Sequence, residues 1–134
     1  MYLTNLNERQ KELFIQLSIH AALANDILED AEATLISEYC KEMAIENPGV
    51  EVKMDLKDVL LELKAISSEQ ELNIITFEIA ALFVFDNEYD KDEKCFMNKL
   101  IQVFNIDKEK LKKMFDHINE YSQLVGRITS NLLD

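Results

Sequence analysis

The scarcity of helix-breaking residues is the feature that most restricts the fold of this chain. Its 134 residues include only two glycines and one proline. Sandwiches and barrels of many short strands need turn residues every few positions, and this chain does not supply them. Because 48% of the residues are hydrophobic, the composition also excludes a disordered chain. The sequence therefore predicts an all-α, compact bundle.

The length predicts a single domain that spans residues 1–134. Apolar residues recur at helical spacing in about six or seven segments. The first predicted helix runs from Glu8 to Ala24, and Asn7 and Gln10 have the spacing of a capping box. A second helix is predicted after an acidic stretch at 25–32, followed by a loop at 46–51 and by helix starts at Asp55 and at Ser67 or Ser68. A fifth helix is predicted over Lys91–Phe104. The last helix starts at Asp107, is bent or ended by Gly126, and has one apolar face formed by Leu111, Phe115, Ile118 and Val125.

The two halves of the chain resemble each other when one is shifted by 61 residues. The segment Asn25–Glu32 then falls on Asp86–Glu93, and both contain an apolar residue followed by acidic ones. Beyond this stretch the apolar positions coincide, in the pairs Leu35/Phe96, Ile36/Met97, Tyr39/Leu100, Cys40/Ile101, Met43/Phe104 and Ile45/Ile106. The pattern predicts two helix–loop–helix halves that are related by a pseudo-twofold axis.

An apolar helix that leads into acidic residues and a second helix, twice in one chain, resembles the TerB tellurite-resistance family. The resemblance covers roughly residues 7–120 and is clearest over Phe85–Glu93. The family usually has Asp-Gly where this chain has Asn25-Asp26 and Asp86-Asn87. The resemblance implies an all-α fold, a bacterial cytoplasmic setting, acidic loop residues that associate with metal, and membership of a larger stress-response assembly.

The charge of the chain bears on its partners. Fourteen basic and 26 acidic residues give a net charge of −12, which disfavours binding to nucleic acid and to anionic membranes. Cations and basic protein partners are favoured instead. Separately from the charge, a homodimer is one candidate assembly. The alternative is that the acidity serves only solubility.

The two acidic segments are the only dense groups of chemically active side chains. Calcium takes six to eight oxygen ligands, several of them carboxylates on a flexible loop. A divalent cation such as calcium is therefore the one cofactor that the sequence suggests. If the two loops meet, its candidate ligands are Asp26, Glu29, Glu32, Asp86, Asp90 and Glu93.

The same carboxylates have a purely structural interpretation. Asp90 and Glu93 have the spacing of a helix N-cap and its partner, and acidic residues in a first turn are stabilised by the helix dipole. The EF-hand pattern fails, because its sixth position from Asp86 is Lys91 and its twelfth is Met97. Helix capping and cation binding both stay open at this point.

The remaining reactive residues indicate no enzyme. Cys40 and Cys95 lie in apolar stretches, which predicts two buried thiols in a cytoplasmic protein. His20 and His117 lack metal-ligand spacing, and His20 is expected at a helix interface. No signal peptide or membrane span is expected. A non-catalytic protein-interaction module is the first hypothesis, a cation-binding module the second, and an enzyme with a carboxylate-bound metal the third.

Overall fold

The computed structural model describes residues 2–24, 29–84 and 91–133, except for the side chain of Glu29. Within these ranges the chain forms six α-helices and one short 3-10 helix at Leu3–Asn5, and it contains no strand. The all-α prediction is therefore confirmed. The α-helices are α1 (Glu8–Ala24), α2 (Glu29–Met43), α3 (Leu56–Ile66), α4 (Glu69–Val84), α5 (Lys91–Phe104) and α6 (Lys108–Leu133).

Helices α1 and α4 both begin with a capping box. The Asn7 side chain accepts a hydrogen bond from the Gln10 N–H (2.9 Å), and the Gln10 side chain accepts one from the Asn7 N–H (2.8 Å). Ser68 and Glu71 exchange the same two bonds at 3.1 and 2.8 Å. Each box satisfies backbone donors that the first helical turn leaves without a partner. Both predicted helix starts are confirmed, with Ser68 rather than Ser67 as the cap of α4.

The centre of the bundle is formed by α1 and α4. All seven residues from Leu13 to Ile19 are buried, and no residue from Glu71 to Val84 is exposed. Helix α1 packs against α2 and α3, and α4 packs against α5 and α6. The first helix of each half therefore contacts the two that follow it. A pseudo-twofold axis between the halves stays a prediction.

The C-terminal ends of α2 and α5 share one geometry, again 61 residues apart. Ala44 and Asn105 have positive φ values of 56° and 58°. The Ile45 N–H then donates to the Cys40 carbonyl (3.0 Å), as the Ile106 N–H does to that of Ile101 (2.9 Å). A left-handed residue followed by a bond of this span is the Schellman way of ending a helix.

A lysine from another helix also reaches each of these two ends. The Lys11 ammonium donates to the Met43 carbonyl at 2.9 Å, and the Lys64 ammonium donates to the Phe104 carbonyl at 3.2 Å. A cation at a helix C-terminus satisfies carbonyls that have no helical partner and complements the helix dipole. These contacts fix the ends of α2 and α5 against α1 and α3.

The segment between α2 and α3 is attached to α1 by a buried glutamine. The Gln16 side chain donates to the Glu51 carbonyl (3.0 Å) and accepts from the N–H groups of Lys53 (2.8 Å) and Met54 (3.3 Å). The ring nitrogen Nε2 of His20, one turn further along α1, lies 2.7 Å from the Met54 carbonyl oxygen. One face of α1 thus supplies the hydrogen bonds that this extended backbone lacks.

Three predictions about individual residues and helix starts need correction. Helix α2 begins at Glu29, so the residues up to Glu32 belong to its first turn instead of preceding it. Asp55 occupies the N-cap position of α3, but its side chain makes no capping hydrogen bond. Cys95 is exposed rather than buried, because it lies on the solvent side of α5, whereas Cys40 is buried as predicted.

The prediction for the end of α6 is also wrong. The helix continues through Gly126 to Leu133, and Val125, which was predicted on the packed face, is 42% exposed. The reason is a difference in length. Helix α6 has 26 residues and its neighbour α4 has 16, so they measure about 39 and 24 Å at 1.5 Å per residue. The second half of α6 therefore extends past the bundle.

Candidate functional site

The predicted cation ligands fall into two groups. Asp26, Asp86 and Asp90 lie outside the described residues, as does the side chain of Glu29. Glu32 and Glu93 are described, and both are buried, with 7% and 0% of their surface exposed. Across the described ranges, no group of three or more His, Cys, Asp or Glu side chains could hold a metal ion. The structure thus tests only part of the predicted ligand set.

Glu32 and Glu93 both lie in the first turn of a helix. Glu32 is the fourth residue of α2, and Glu93 is the third residue of α5. Buried carboxylates lose hydration, and the loss must be offset by nearby dipoles or charges. The N-terminal end of a helix carries a partial positive charge, which stabilises a carboxylate in the first turn. The helix ends therefore help to stabilise the two carboxylates at these positions, while a cation bound by the same carboxylates stays a prediction.

Three carboxylates lie near Tyr39, which the sequence places among the apolar positions of the second helix. Burial, together with the nearby Glu78, Glu42 and Glu38 carboxylates, raises the pKa of the Tyr39 hydroxyl far above its usual range. The ring packs edge-on against Phe14, with centroids 5.0 Å apart. Tyr39 is therefore a packing residue of α2 whose hydroxyl stays protonated.

The histidines and methionines behave as structural residues. His20 meets a backbone carbonyl of the segment before α3, so it has a hydrogen-bonding partner, but that partner belongs to a loop and not to the predicted helix interface. His117 is exposed on α6. Met43 and Met97 are fully buried in the core, where flexible methionine side chains fill irregular space. None of these side chains forms a cluster with other candidate ligands among the described residues.

A row of exposed apolar side chains lies on the second half of α6. Every residue from Asn119 to Leu133 is exposed, and we call this segment the α6 arm. Its large apolar side chains are 42–80% exposed. They are Tyr121, Leu124, Val125, Ile128, Leu132 and Leu133. Scattered exposed apolar residues are ordinary, but a contiguous row of them marks an interaction site.

The apolar row of the arm continues a seam that is packed inside the bundle. Along α6, apolar side chains recur every three and four residues, which is the heptad pattern of helices that pack side by side. The members of this row are Leu111, Met114, Ile118, Tyr121, Val125, Ile128 and Leu132. Its first three members are buried or half-buried, and the last four are exposed. One surface thus begins as part of the core and ends in solvent.

The arm has weak intrinsic helix preference for an unpacked helix. It contains Gly126, which costs about 1 kcal/mol relative to alanine in a helix interior, and its β-branched Val125, Ile128 and Thr129 are also unfavourable. Isolated helices shorter than about 12–15 residues are marginal in water even with better sequences. A packing partner along the apolar row would supply the stabilisation that the arm lacks.

The charge of α6 differs from that of the rest of the chain. The helix carries five basic and three acidic residues, whereas the whole chain has a net charge of −12. Within the arm the only charged side chains are Glu120 and Arg127, which cancel. The apolar row is therefore flanked by mostly neutral residues. An acidic protein that approaches the row meets less electrostatic repulsion than one that approaches an acidic face of the bundle.

A groove lies at the base of the arm, between α4, α5 and α6. Its volume is about 550 Å³. Val84, Ile101 and Leu111 contribute its apolar lining, while Phe115 and Asn119 border it on the side of the arm. Lys108 and Lys112 supply positive charge. The groove is open. Its lining residue Asn119 lies on a different side of α6 from Tyr121 of the exposed row, because two residues turn an α-helix by about 200°.

Sequence reasoning identified the apolar face of α6 but placed all of it in the core. The signal that distinguishes the two halves is helix length, because the 26-residue α6 is ten residues longer than the 16-residue α4 beside it. None of the described helices is long and apolar enough to cross a lipid bilayer. No protein-family model, no curated protein and no solved structure matches this chain.

Proposed function

We propose that this protein is a non-catalytic interaction module that binds another protein chain through the apolar row of the α6 arm. The observation that carries the proposal is the passage of one heptad seam from the core into solvent between Ile118 and Tyr121. Exposing this row costs free energy, at roughly 25 cal/mol per Å² of apolar surface. Covering it with a partner recovers that free energy, which gives the arm a reason to bind.

The wider setting of the proposal comes from the sequence. The resemblance to the TerB family, clearest over Phe85–Glu93, supports a role as a component of a bacterial stress-response assembly in the cytoplasm. The acidity of the bundle supports a partner that is a protein rather than a nucleic acid or an anionic membrane. In this role the bundle is a rigid base and the arm is the binding element.

Site-specific photo-crosslinking in cells of the native host tests the proposal. A photoreactive amino acid in place of Tyr121 lies in the middle of the exposed row, and the same group in place of the exposed Lys57 on α3 is the matched control. We expect a discrete crosslinked species at Tyr121 that is absent at Lys57. If neither position forms one, or if both form the same species, the arm is not the binding element.

Cation binding is the second candidate function, favoured by the burial of Glu32 and Glu93 at equivalent helix starts. In this proposal the two carboxylates act with Asp26, Glu29, Asp86 and Asp90 to bind a divalent cation such as calcium.

Calorimetric titration with Ca²⁺ and Mg²⁺ at about 0.15 M salt, where surface attraction is screened, tests the cation-binding proposal. Saturable binding that is lost in Glu93→Gln and kept in Glu109→Gln, an exposed first-turn control, supports the site. Equal binding by both variants contradicts it.

A further inference from the structure

We propose that the α6 arm pairs with the arm of a second copy of this chain, antiparallel, with the twofold axis between Gly126 and Arg127. The inference rests on the proposed function and names its partner. It follows from two properties of the described residues. The exposed row at Tyr121, Val125, Ile128 and Leu132 has the same spacing when it is read from either end, so it can pair with its own copy, and the charge is distributed unequally between arm and bundle.

The register follows from which side chains are available. An axis between residues 126 and 127 places Tyr121 opposite Leu132 of the second copy, and Val125 opposite its Ile128. Symmetry repeats both layers, so four layers form entirely from side chains that are exposed in one chain. Moving the axis by half a heptad toward the bundle would require Ile118, which is 2% exposed and already packed in its own core.

The direction follows from charge. Each copy carries a net charge of −12, while the charged side chains within 119–133 cancel. Parallel pairing would bring the two acidic bundles side by side at the same end, where like charges repel. Antiparallel pairing places the bundles at opposite ends of a neutral pair of arms. The charge of the bundles therefore selects the antiparallel arrangement.

The ends of the arms fit the same register. With the axis between 126 and 127, Leu132 and Leu133 of each arm lie level with Tyr121 and Glu120 of the other. These two leucines are the most exposed large apolar side chains of the chain's described part, at 77% and 80%. Leu132 belongs to the apolar row, so the pairing covers it with Tyr121 of the second copy.

Pulsed electron resonance between spin labels tests both partner and direction on the purified chain. Labels are placed singly at Gln123, Asp116 and Glu109, which share the outer face of α6, in a Cys95→Ser background because Cys95 is exposed. At 1.5 Å per residue, the antiparallel pair separates equivalent positions along the helix axis by about 10, 31 and 52 Å respectively. A parallel pair gives no axial separation at any position.

The measurement is made at about 100 µM protein, which populates complexes of micromolar affinity. We expect three distances that increase from Gln123 to Glu109, and loss of the dipolar signal in the Val125→Gln/Ile128→Gln variant but not in the outer-face control Arg127→Gln. Three equal short distances overturn the antiparallel direction, and the absence of any dipolar signal overturns self-pairing. In that last case, a crosslink from Tyr121 to a different protein would still support the proposed function, so the two failures are distinguishable.

Discussion

Ala44 and Asn105, 61 residues apart, both end a helix in the left-handed backbone conformation, with φ values of 56° and 58°. Each is followed by an isoleucine whose N–H closes the same hydrogen bond onto the preceding helix. The left-handed conformation costs an L-amino acid with a side chain roughly 1–2 kcal/mol, and asparagine tolerates it better than alanine. The two equivalent positions thus hold residues that tolerate the left-handed conformation to different degrees. Replacing each by glycine should therefore stabilise the chain by different amounts.

We predict that Ala44→Gly raises the free energy of unfolding by about 0.5–1 kcal/mol, because glycine adopts positive φ without steric cost. Asn105→Gly is expected to raise it less. Urea denaturation of the purified variants measures both effects. Ala33→Gly, at an exposed position inside α2, is the control and should lower stability by about 1 kcal/mol. A loss of stability in Ala44→Gly as large as in Ala33→Gly would show that position 44 is not left-handed.

The hydrogen bonds of Gln16 predict a second effect on stability. Gln16→Leu keeps the side chain's bulk but leaves backbone groups of Glu51 and Lys53 without their partner. Glu51 and Lys53 are exposed, so water can partly replace the lost hydrogen bonds, and each bond contributes about 0.5–1.5 kcal/mol net. The loss of both should therefore lower the free energy of unfolding by about 1–3 kcal/mol and make amide exchange at residues 51–54 faster. The exposed Gln102→Leu should change neither quantity.

The capping box of α4 predicts a specific pH dependence. The Ser68 backbone N–H, helped by the Gln10 amide and the Ser68 hydroxyl, lowers the pKa of the Glu71 carboxyl below its ordinary value. A lowered pKa means that the folded chain binds the proton less tightly than the unfolded chain does. The stabilisation is therefore complete above about pH 4.3, the ordinary pKa of glutamate, and is lost as the pH falls through the lowered value.

Comparing the wild-type chain with Glu71→Gln isolates this contribution. The stability difference between the two should be constant from pH 7 down to about pH 5 and should shrink toward about pH 3 as Glu71 is protonated. Denaturant titrations at each pH measure it. A difference that stays the same over the whole range would mean that the charge of Glu71 contributes nothing to the cap.

Gly126 predicts an effect on the arm alone. A Cβ atom added at Gly126 meets no other atom within 4 Å, so Gly126→Ala introduces no clash. Alanine should stabilise the helical conformation of the unpaired arm by about 1 kcal/mol. Because the arm is then already helical before it pairs, the affinity of arm pairing should increase roughly fivefold or more. Circular dichroism and dilution calorimetry test the two parts. Increased helicity with weaker pairing would mean that the outer side of Gly126 faces the partner.

Much of the fold could be predicted because its determinants are local. The capping boxes at Asn7 and Ser68 and the bounds Lys91–Phe104 follow from residue type and helical period, which short stretches of sequence display. Exposure at Val125 depends instead on how far α4 extends beside α6, which is a tertiary property. Helical periodicity identifies an apolar face and does not show whether another helix covers it.

The predicted site likewise combines features that local sequence determines with features that only tertiary packing determines. The burial of Glu32 and Glu93 was not foreseen, because acidic residues at helix starts are usually solvated and only the packing of α2 and α5 places these two inside. The hydrogen bonds of Gln16 and the carboxylates around Tyr39 could not be predicted for a related reason. They depend on contacts with segments 35 or more residues away or with other helices, and local residue spacing does not indicate such contacts.

Self-association through the α6 arm is tested most directly by sedimentation equilibrium of the wild-type chain and of Val125→Gln/Ile128→Gln. The two substituted side chains are 42% and 48% exposed, so the variant should fold as the wild type does. We predict that the wild-type mass rises with concentration from the 15.6 kDa of one chain toward twice that value, while the variant stays at 15.6 kDa. A wild-type chain that remains at 15.6 kDa throughout, or a variant that associates equally well, would contradict arm-mediated pairing.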